Sequence, residues 1–291
     1  MILIRHNGVG LKRAIDLSDM YAGYTAMLVG GAPCLREQPI ELLEQRGVIT
    51  MAMNNAAQHF RPTMWSSSDH PDCYQPRILT DPTIMKFGSL AHVKRPLKHI
   101  EDKTLAHMPN MYFYMTEANV PWDEYLGSRK TVPWYNNTLF VSIHILYQLG
   151  VRTIILAGSD FGFSKDGSMY AHKTELGDLE RKWNLDLYNS LARELRLLKP
   201  VFEKAGLKFY DSSKNSRIGQ TYPHISLEEA VDMCLNNQPK EWLDSKELPH
   251  CSKFASKDIQ ERIANWPGYQ MVGEPKKQEE PKENLAEHQV L

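Results

Sequence analysis

Short apolar runs separated by turn residues divide most of the chain into predicted strands. Residues 26–29, 48–53 and 154–157 are almost continuously apolar, which is typical of strands covered on both faces, as in a parallel sheet. Helical patterns separate several of these runs, so they indicate strand–helix–strand crossovers, which are right-handed between parallel strands. Further strands are predicted at residues 64–67, 83–87, 111–114 and 207–210.

Apolar residues at three- and four-residue steps predict the helices. Asn136 or Asn137 can cap the best defined of them, and Gly150 is placed to end it. A long amphipathic stretch covers residues 178–205, and Pro200 is expected to kink this helix or end it early. Two shorter helices are predicted at residues 39–47 and, after a capping box of Ser226 and Glu229, up to about residue 235.

The alternation of strands and helices predicts an α/β fold with a Rossmann-like, mostly parallel sheet flanked by helices. Residues 69–134 hold seven of the 17 prolines and show no sustained helical period, so they are expected to form an irregular, lid-like insertion. The other boundaries place an N-terminal extension at residues 1–24, the α/β domain at 25–240, a C-terminal packing segment at 241–272 and a disordered tail at 273–291.

Composition narrows the classes of function. The chain has 34 Lys and Arg against 35 Asp and Glu, a formal net charge of −1, so its overall charge does not indicate an obligatory nucleic-acid or anionic-membrane surface. Its four cysteines lie far apart without metal-type spacing, which favours a reduced, cytoplasmic setting. Arg5 and His6 interrupt the apolar start and no apolar run is long enough for a membrane span, so we expect neither a signal peptide nor a transmembrane segment.

The loop after residue 157 is the strongest candidate for chemistry. It follows a buried strand, and open α/β sheets bind their ligands at the carboxyl ends of such strands. His172 in this loop titrates near neutral pH and could take a proton from an attacking hydroxyl. A polar loop with one capping Asp is the alternative interpretation. The candidate residues before His172 are Gly158, Ser159, Asp160, Ser168 and Tyr170.

A second candidate is the turn of Gly30, Gly31, Ala32 and Pro33, which lies between a strand and a predicted helix. Backbone N–H groups and the helix dipole attract phosphate at such a turn. The turn lacks a complete dinucleotide fingerprint and a Walker lysine, which disfavours a P-loop ATPase. A purely structural turn stays an alternative.

Polar residues at other strand ends complete the set of candidates. Asn54 can hydrogen-bond a base or ribose, or can simply form a turn. Asn215 and Ser216 lie beside Lys214 and Arg217 in a later loop that could neutralise phosphate, or that is merely exposed. Asp69 and His70 follow a serine run and could bind a metal or a sugar.

In this order, the motifs resemble those of the family-42 glycosyltransferases, bacterial sialyltransferases that use a cytidine monophosphate sugar donor, over roughly residues 25–217. Residues 30–35 align with that family's Gly-Asn-Gly-Pro-Ser-Leu turn, and Asn54 aligns with its nucleotide-binding Asn. Thr138 matches a hydroxyl-bearing helix start, and residues 158–171 match Gly-x-Asp-Phe followed by Gly-Ser-x-Tyr-Ala. The family's late Asn-Ser pair resembles Asn215 and Ser216, whereas its His-Ser acceptor motif has no counterpart within residues 178–189.

The resemblance implies a GT-A variant of the Rossmann-like fold and transfer of a sugar from a nucleotide-sugar donor to an acceptor hydroxyl, on a glycan or on a modified DNA base. No cofactor is required, although a divalent metal is possible. In this interpretation Asp160, Ser168 and Tyr170 orient the ribose or sugar, and His172 is the candidate base. The leaving phosphate is stabilised by Thr138, Asn215 and Ser216.

Two other functions stay open at this stage. The archaeal-type 6-hydroxymethylpterin diphosphokinases have a similar core, so an ATP-dependent pyrophosphokinase is one alternative. That reaction would need Asp69, Asp160 and Asp166 to converge on magnesium. The other alternative is a nucleotide-binding module without catalysis.

Overall fold

The structure, a computed structural model, describes residues 1–6, 12–45, 47–135, 137–164, 167–172 and 176–238. The predicted segments 241–272 and 273–291 lie outside the described residues, as do Asn136 and Asp166. None of the helices in the described ranges combines the length and the apolar character that crossing a bilayer requires.

A mixed, mostly parallel sheet of ten strands runs through the described part of the chain. Strands β10, β9, β3, β4, β5, β6 and β7 are parallel neighbours in that order, β8 pairs with β7 in parallel, and β1 and β2 add an antiparallel edge beyond β7. The strands are β1 (Ile2–His6), β2 (Lys12–Asp16), β3 (Thr25–Val29), β4 (Ile49–Met53), β5 (Met64–Ser67), β6 (Met85–Ser89), β7 (Met111–Glu117), β8 (Thr131–Pro133), β9 (Thr153–Ala157) and β10 (Lys208–Asp211).

Helices cover both faces of this sheet, which confirms the predicted α/β, Rossmann-like class. Helices α2 (Thr138–Gln148) and α3 (Asp178–Lys204) share one core layer with Ala26 and Leu28 of β3. Helix α4 (Leu227–Asn236) shares the opposite layer with Met27 and Val29 of the same strand, because successive side chains of a strand point to opposite faces. A short helix, α1 (Pro76–Thr80), lies between β5 and β6.

The order of the strands reverses at β3. From β3 the chain adds β4 to β7 on one side of the sheet, and then returns to place β9 and β10 on the other side. Ligands of open α/β sheets bind outside the carboxyl ends of the strands at such a reversal, since the loops on either side diverge and leave a crevice. The fold therefore points to the edge of the sheet between β3 and β9.

Two glycines allow β3 and β9 to stay paired up to this crevice. Gly30 donates its N–H to the carbonyl of Ala157 at 2.9 Å, and Ala32 donates to the carbonyl of Gly158 at 2.9 Å. A Cβ atom on Gly30 would lie 2.6 Å from the Gly158 oxygen, and one on Gly158 would lie 2.5 Å from the Gly30 oxygen. Gly158 also has a φ of +58°, which disfavours any residue with a side chain.

Two predicted helices differ in the structure. In place of the helix at residues 39–47, Ile40–Glu44 forms a 3₁₀ helix, separate from a 3₁₀ helix at Pro33–Glu37 because Pro39 lacks an N–H to join the two. The prediction that Pro200 ends the long helix early was wrong. Helix α3 continues through Pro200 to Lys204. Its buried Leu198 and Phe202 pack against the core on either side of the proline, which holds the helix together.

The predicted N-terminal extension and the predicted lid-like region of the main domain both contribute strands to the sheet. Residues 1–24 contain β1 and β2, and residues 69–134 contain β6, β7 and β8 between irregular turns. Lys86, in β6, is fully buried, and its ammonium group donates to the carbonyls of Ile84 and Pro109, each at 2.8 Å. These carbonyls hold the charge inside the sheet because they satisfy its donors.

We predict that Gly158→Ala lowers the free energy of unfolding by about 2–5 kcal/mol, because a left-handed residue with a Cβ and a backbone clash are combined at one position. Gly206→Ala is the matched control: Gly206 also has a positive φ, +70°, but open space around its Cβ position, so about 1–2 kcal/mol is expected. Denaturant unfolding measures both values. If both variants lose the same free energy of unfolding, the close approach of β3 and β9 at Gly158 is contradicted.

Candidate functional site

A cavity of about 390 Å³ lies at the carboxyl edge of the sheet, where the strand order reverses. Its walls come from the turn after β3, from the ends of β4, β5 and β9, from the first residues of α2 and from one side of α3. The lining residues are Gly30, Gly31, Ala32, Met53, Asn54, Asn55, Asp69, Cys73, Tyr74, Asn137, Thr138, Leu139, Gly158, Ser159, Asp160, Phe161, Tyr170, His172, Tyr188 and Leu191.

Most of the residues singled out from the sequence meet in this cavity, although they come from four separate parts of the chain. The three residues of the turn after β3, the polar group after β9 and the start of α2 all lie on its wall. The predicted residues found there are Gly30, Gly31, Ala32, Asn54, Thr138, Gly158, Ser159, Asp160, Tyr170 and His172.

Four predicted residues do not line the cavity. Pro33 is buried as the first residue of a 3₁₀ turn. The carbonyl of Ser168 accepts hydrogen bonds from Ser164 within its own loop. Asn215, at a φ of +57°, and Ser216, whose hydroxyl accepts from the N–H of Ile218 at 3.3 Å, form a turn after β10.

The cationic residues Lys214 and Arg217 do not line the cavity, but Arg217 lies next to it: its N–H donates to the carbonyl of Asp160 at 3.2 Å, and its positive charge lowers the pKa of Asp160. The ammonium group of Lys214 lies 3.9 Å from a carboxylate oxygen of Glu37, and the guanidinium of Arg217 donates to Asn189. The same loop reaches the site through Ser213, whose hydroxyl accepts from the N–H of Ser159 at 3.0 Å. No Lys or Arg is found among the described residues that line the cavity.

The first turn of α2 presents its positive end to the cavity. The side chain of Asn137 accepts from the N–H of Leu139 at 2.7 Å and caps the helix, as predicted. The hydroxyl of Thr138 accepts from the N–H of Ser68 at 3.3 Å, so its own proton can be donated elsewhere. Unpaired N–H groups of the first turn and the helix dipole favour a negatively charged ligand here.

The turn after β3 offers less to a ligand than the sequence suggested. The N–H groups of Gly30 and Ala32 are already bonded to carbonyls at the end of β9. Within the described residues the N–H of Gly31 has no acceptor, and Gly31 lines the cavity. An anion in this cavity would therefore meet Gly31 and the start of α2.

Asp160 is a partly buried carboxylate at the end of β9. Its Oδ1 accepts from the N–H of Gly162 at 3.0 Å. Burial raises the pKa of Asp160, whereas hydrogen bonds from Gly162 and from the thiol and N–H of Cys34 lower it. The following residue, Phe161, has a φ of +57°, so the chain turns sharply and Asp160 stays at the cavity.

Arg36 ties the loop that carries Tyr170 and His172 to the turn after β3. Its guanidinium donates to the carbonyl of Ala171 at 2.5 Å and to the carbonyl of Tyr170 at 2.7 Å. The N–H of Ala171 donates to the carbonyl of Gly31 at 2.7 Å. These two hydrogen bonds from one guanidinium fix the backbone of the loop against the turn after β3.

The rings of Tyr170 and His172 stack on each other, with centroids 5.1 Å apart and planes inclined by 15°. Burial, and then the positive charge of Arg36, lower the pKa of His172 below its ordinary value. The imidazole is therefore neutral at pH 7, and its buried Nδ1 has no hydrogen-bond partner among the described residues.

The wall formed by the ends of β4 and β5 contains Asn54 and Asp69, which were candidates from the sequence, and Tyr74, which was missed. The hydroxyl of Tyr74 lies 3.2 Å from Oδ1 of Asn54 and 3.2 Å from Oδ2 of Asp69. Trp65 donates to the carbonyl of Asn54 at 2.8 Å and holds this residue at a φ of +50°. Asp69 could be predicted because it directly follows a predicted strand, β5. No feature of the sequence marked Tyr74 as a site residue.

The described part of the chain contains no group of three or more His, Cys, Asp or Glu side chains placed to hold a metal ion together. Asp69 and Asp160 both line the cavity. Asp166, the third carboxylate of the pyrophosphokinase hypothesis, is outside the described residues.

No profile of a known protein family matches the chain, and no curated protein matches it. Two solved structures share a partial likeness: a mammalian sialyltransferase at 15% identity, and a mammalian sialyltransferase in complex with Gal-beta-1-3GalNAc-ortho-nitrophenol at 14% identity. Each match has a TM-score of 0.33 and covers 59% of this chain and 66% of the other, just under two thirds of its length. A likeness at this level carries no argument about function, and the resemblance to family 42 stays a prediction.

We predict that Arg36→Gln raises the pKa of His172. The substitution removes a positive charge that disfavours the imidazolium, and it loosens the loop, which hydrates the ring; both changes favour protonation. NMR titration of the histidine ring signals, assigned with His172→Gln, measures the shift. Arg61→Gln, which removes an arginine paired with Asp81, is the control and should leave the signal unchanged. If the pKa of His172 is unchanged or lower in Arg36→Gln, Arg36 does not act on His172 through its charge and its hydrogen bonds to the loop.

Proposed function

We propose that this protein is a glycosyltransferase that moves a sugar from a nucleotide-sugar donor to an acceptor hydroxyl. The observation that carries the proposal is the convergence, in one cavity, of an anion-attracting helix start, two strand-end asparagines and two carboxylates. Such a set can bind a phosphate, a nucleoside and a polyhydroxylated sugar side by side. The motifs that resemble family 42 contribute the turn after β3, the end of β4, the start of α2 and the loop after β9 to its walls.

The charge of the cavity supports a donor with one phosphodiester, such as a nucleoside monophosphate sugar. The described lining offers the N–H of Gly31, the N–H and hydroxyl of Thr138 and the α2 dipole, but no Lys or Arg. These groups balance about half to one negative charge. A pyrophosphate carries more charge, and Asp69 and Asp160 would repel it unless a cation came with it.

The remaining walls fit the other parts of such a donor. Asn54 and Asn55 carry amides that can pair with a base or a ribose edge. Phe161 and Leu191 provide apolar contact for a ring, as expected of a cavity that orients its ligand with few polar groups. Asp160 is placed to accept hydrogen bonds from ribose or sugar hydroxyls.

The reaction that follows is displacement at the anomeric carbon. The acceptor oxygen attacks this carbon, the bond to the phosphate oxygen breaks, and Thr138 and Gly31 stabilise the departing charge. Direct attack inverts the anomeric configuration. A base in the cavity must take the proton of the acceptor hydroxyl, and Asp69, Asp160 and His172 are the groups on its walls that could do so.

A thermal-shift screen of cytidine, uridine and adenine nucleotides and their sugars, with and without magnesium, tests the proposal. We predict that a nucleoside monophosphate sugar stabilises the wild-type chain most, by about 2.7 kcal/mol at a hundredfold excess over its Kd and without magnesium. This corresponds to a rise in Tm of about 5–10 °C.

Two variants control the screen. Asp160→Ala should lose at least tenfold in donor affinity, whereas Asp186→Ala, which removes an exposed carboxylate on α3, should respond as the wild type does. Stabilisation by ATP and magnesium instead of any nucleotide sugar would overturn the proposal in favour of pyrophosphoryl transfer. Donor binding without any turnover would favour a non-catalytic module.

A further inference from the structure

We propose that Asp69 is the general base of the reaction and that Tyr74 positions its carboxylate. This inference rests on the proposed glycosyl transfer. It assigns the general base, because the His-Ser acceptor motif of family 42 has no counterpart within residues 178–189. It depends on three observations: the place of Asp69 in the sheet, the hydrogen bonds of Tyr74, and the surroundings of the two competing groups.

Asp69 stands at the far side of the cavity from the end of β9. It lies just beyond β5, and β5 is separated from β3 by β4 alone. Two strand spacings amount to about 10 Å, which leaves room for a sugar ring between the turn after β3 and the carboxylate. The N–H of Asp69 donates to the hydroxyl of Ser67 at 3.1 Å, which fixes the backbone at this point.

The hydroxyl of Tyr74 reaches one oxygen of this carboxylate, and it also contacts the hydroxyl of Ser67 and Oδ1 of Asn54. This hydroxyl lies 3.2 Å from Oδ2 of Asp69, and the tyrosine is only 4% exposed, packed edge-on against Trp65 at 5.1 Å. Within the described residues the Asp69 side chain makes no other hydrogen bond, so Oδ1 keeps its lone pairs for a ligand. A base oriented by a third group is the arrangement that proton abstraction requires.

The Asp69 carboxylate faces the same space as Tyr170 on the opposite wall. Burial raises the pKa of Tyr170, a hydrogen bond with Tyr188 lowers it, and the negative charge of Asp69 raises it further. Asp69 is itself exposed and lines the cavity, so its carboxylate is accessible to an acceptor bound there.

The two competing groups are less suited to the task. His172 lies beside Arg36, whose positive charge opposes the imidazolium that a base must become, and no partner among the described residues orients its Nδ1. Burial raises the pKa of Asp160, but its carboxylate already accepts hydrogen bonds from Gly162 and Cys34, so fewer of its lone pairs are free to take the proton of an acceptor hydroxyl.

Oδ1 of Asp69 takes the proton of the acceptor hydroxyl while the acceptor oxygen forms its bond to the anomeric carbon. The bond from that carbon to the phosphate oxygen breaks, and the nucleotide leaves with the electron pair. The proton on Asp69 passes to solvent after the products leave.

The test compares Asp69→Asn, Tyr74→Phe and His172→Gln with the wild type, using the nucleotide sugar that stabilises the wild-type chain most in the screen. Methanol and the more acidic trifluoroethanol serve as acceptors. Asp72→Asn, which removes a neighbouring carboxylate that accepts from the N–H of Lys98 and does not line the cavity, is the matched control. Thermal melts establish that each variant is folded, and donor titration gives its Kd.

We expect Asp69→Asn to lower kcat with methanol by about 10²–10⁴-fold, with a donor Kd within twofold of the wild-type value. The loss should shrink with trifluoroethanol, because an acidic hydroxyl needs less help from a base. Tyr74→Phe should lower kcat by about tenfold with the same dependence on acceptor acidity, and Asp69→Glu should recover part of the activity.

Three results would overturn the inference while leaving glycosyl transfer intact: an unchanged kcat in Asp69→Asn, an equal loss with both alcohols, or a dependence on acceptor acidity that appears in His172→Gln instead. A wild-type chain that transfers sugar to neither alcohol and does not hydrolyse the donor would contradict the proposed function itself, and with it this assignment.

Discussion

The site depends on the close pairing of β3 and β9 up to the point where the strand order reverses. Gly30 and Gly158 meet there with no room for a Cβ on either residue. Their pairing uses the N–H groups of Gly30 and Ala32, so the turn is fixed by the sheet and is not free to wrap a ligand. The rigid turn in return gives Arg36 and the loop at Tyr170 a fixed point of attachment.

The electrostatics of the cavity follow from this arrangement. A few N–H groups and one helix start attract an anion on one side, and Asp69 and Asp160 present negative charge on the others. In a partly water-excluded space these opposing fields favour a ligand of low net charge, as the proposed nucleoside monophosphate sugar would be.

The sequence allowed the fold class, the position of most strands and ten of the cavity-lining residues to be predicted, because a buried strand followed by polar residues marks the carboxyl edge of a parallel sheet. Asn215 and Ser216 were placed wrongly at the cavity because the position of β10 at the sheet edge moves their turn away from it. Tyr74 could not be found, since its role arises only when α1 and the turn before it fold against β5. Whether Pro200 ends α3 was likewise decided by tertiary packing.

We propose that the phosphate of a nucleotide donor binds at the turn after β3 and the start of α2. A crystal structure of the protein with the best nucleotide from the screen tests it most directly. We expect a phosphate oxygen about 3 Å from the N–H of Gly31 and from the N–H or hydroxyl of Thr138, with the nucleoside beside Asn54. A nucleotide bound outside this cavity, or one whose phosphate lies away from both groups, would contradict the account.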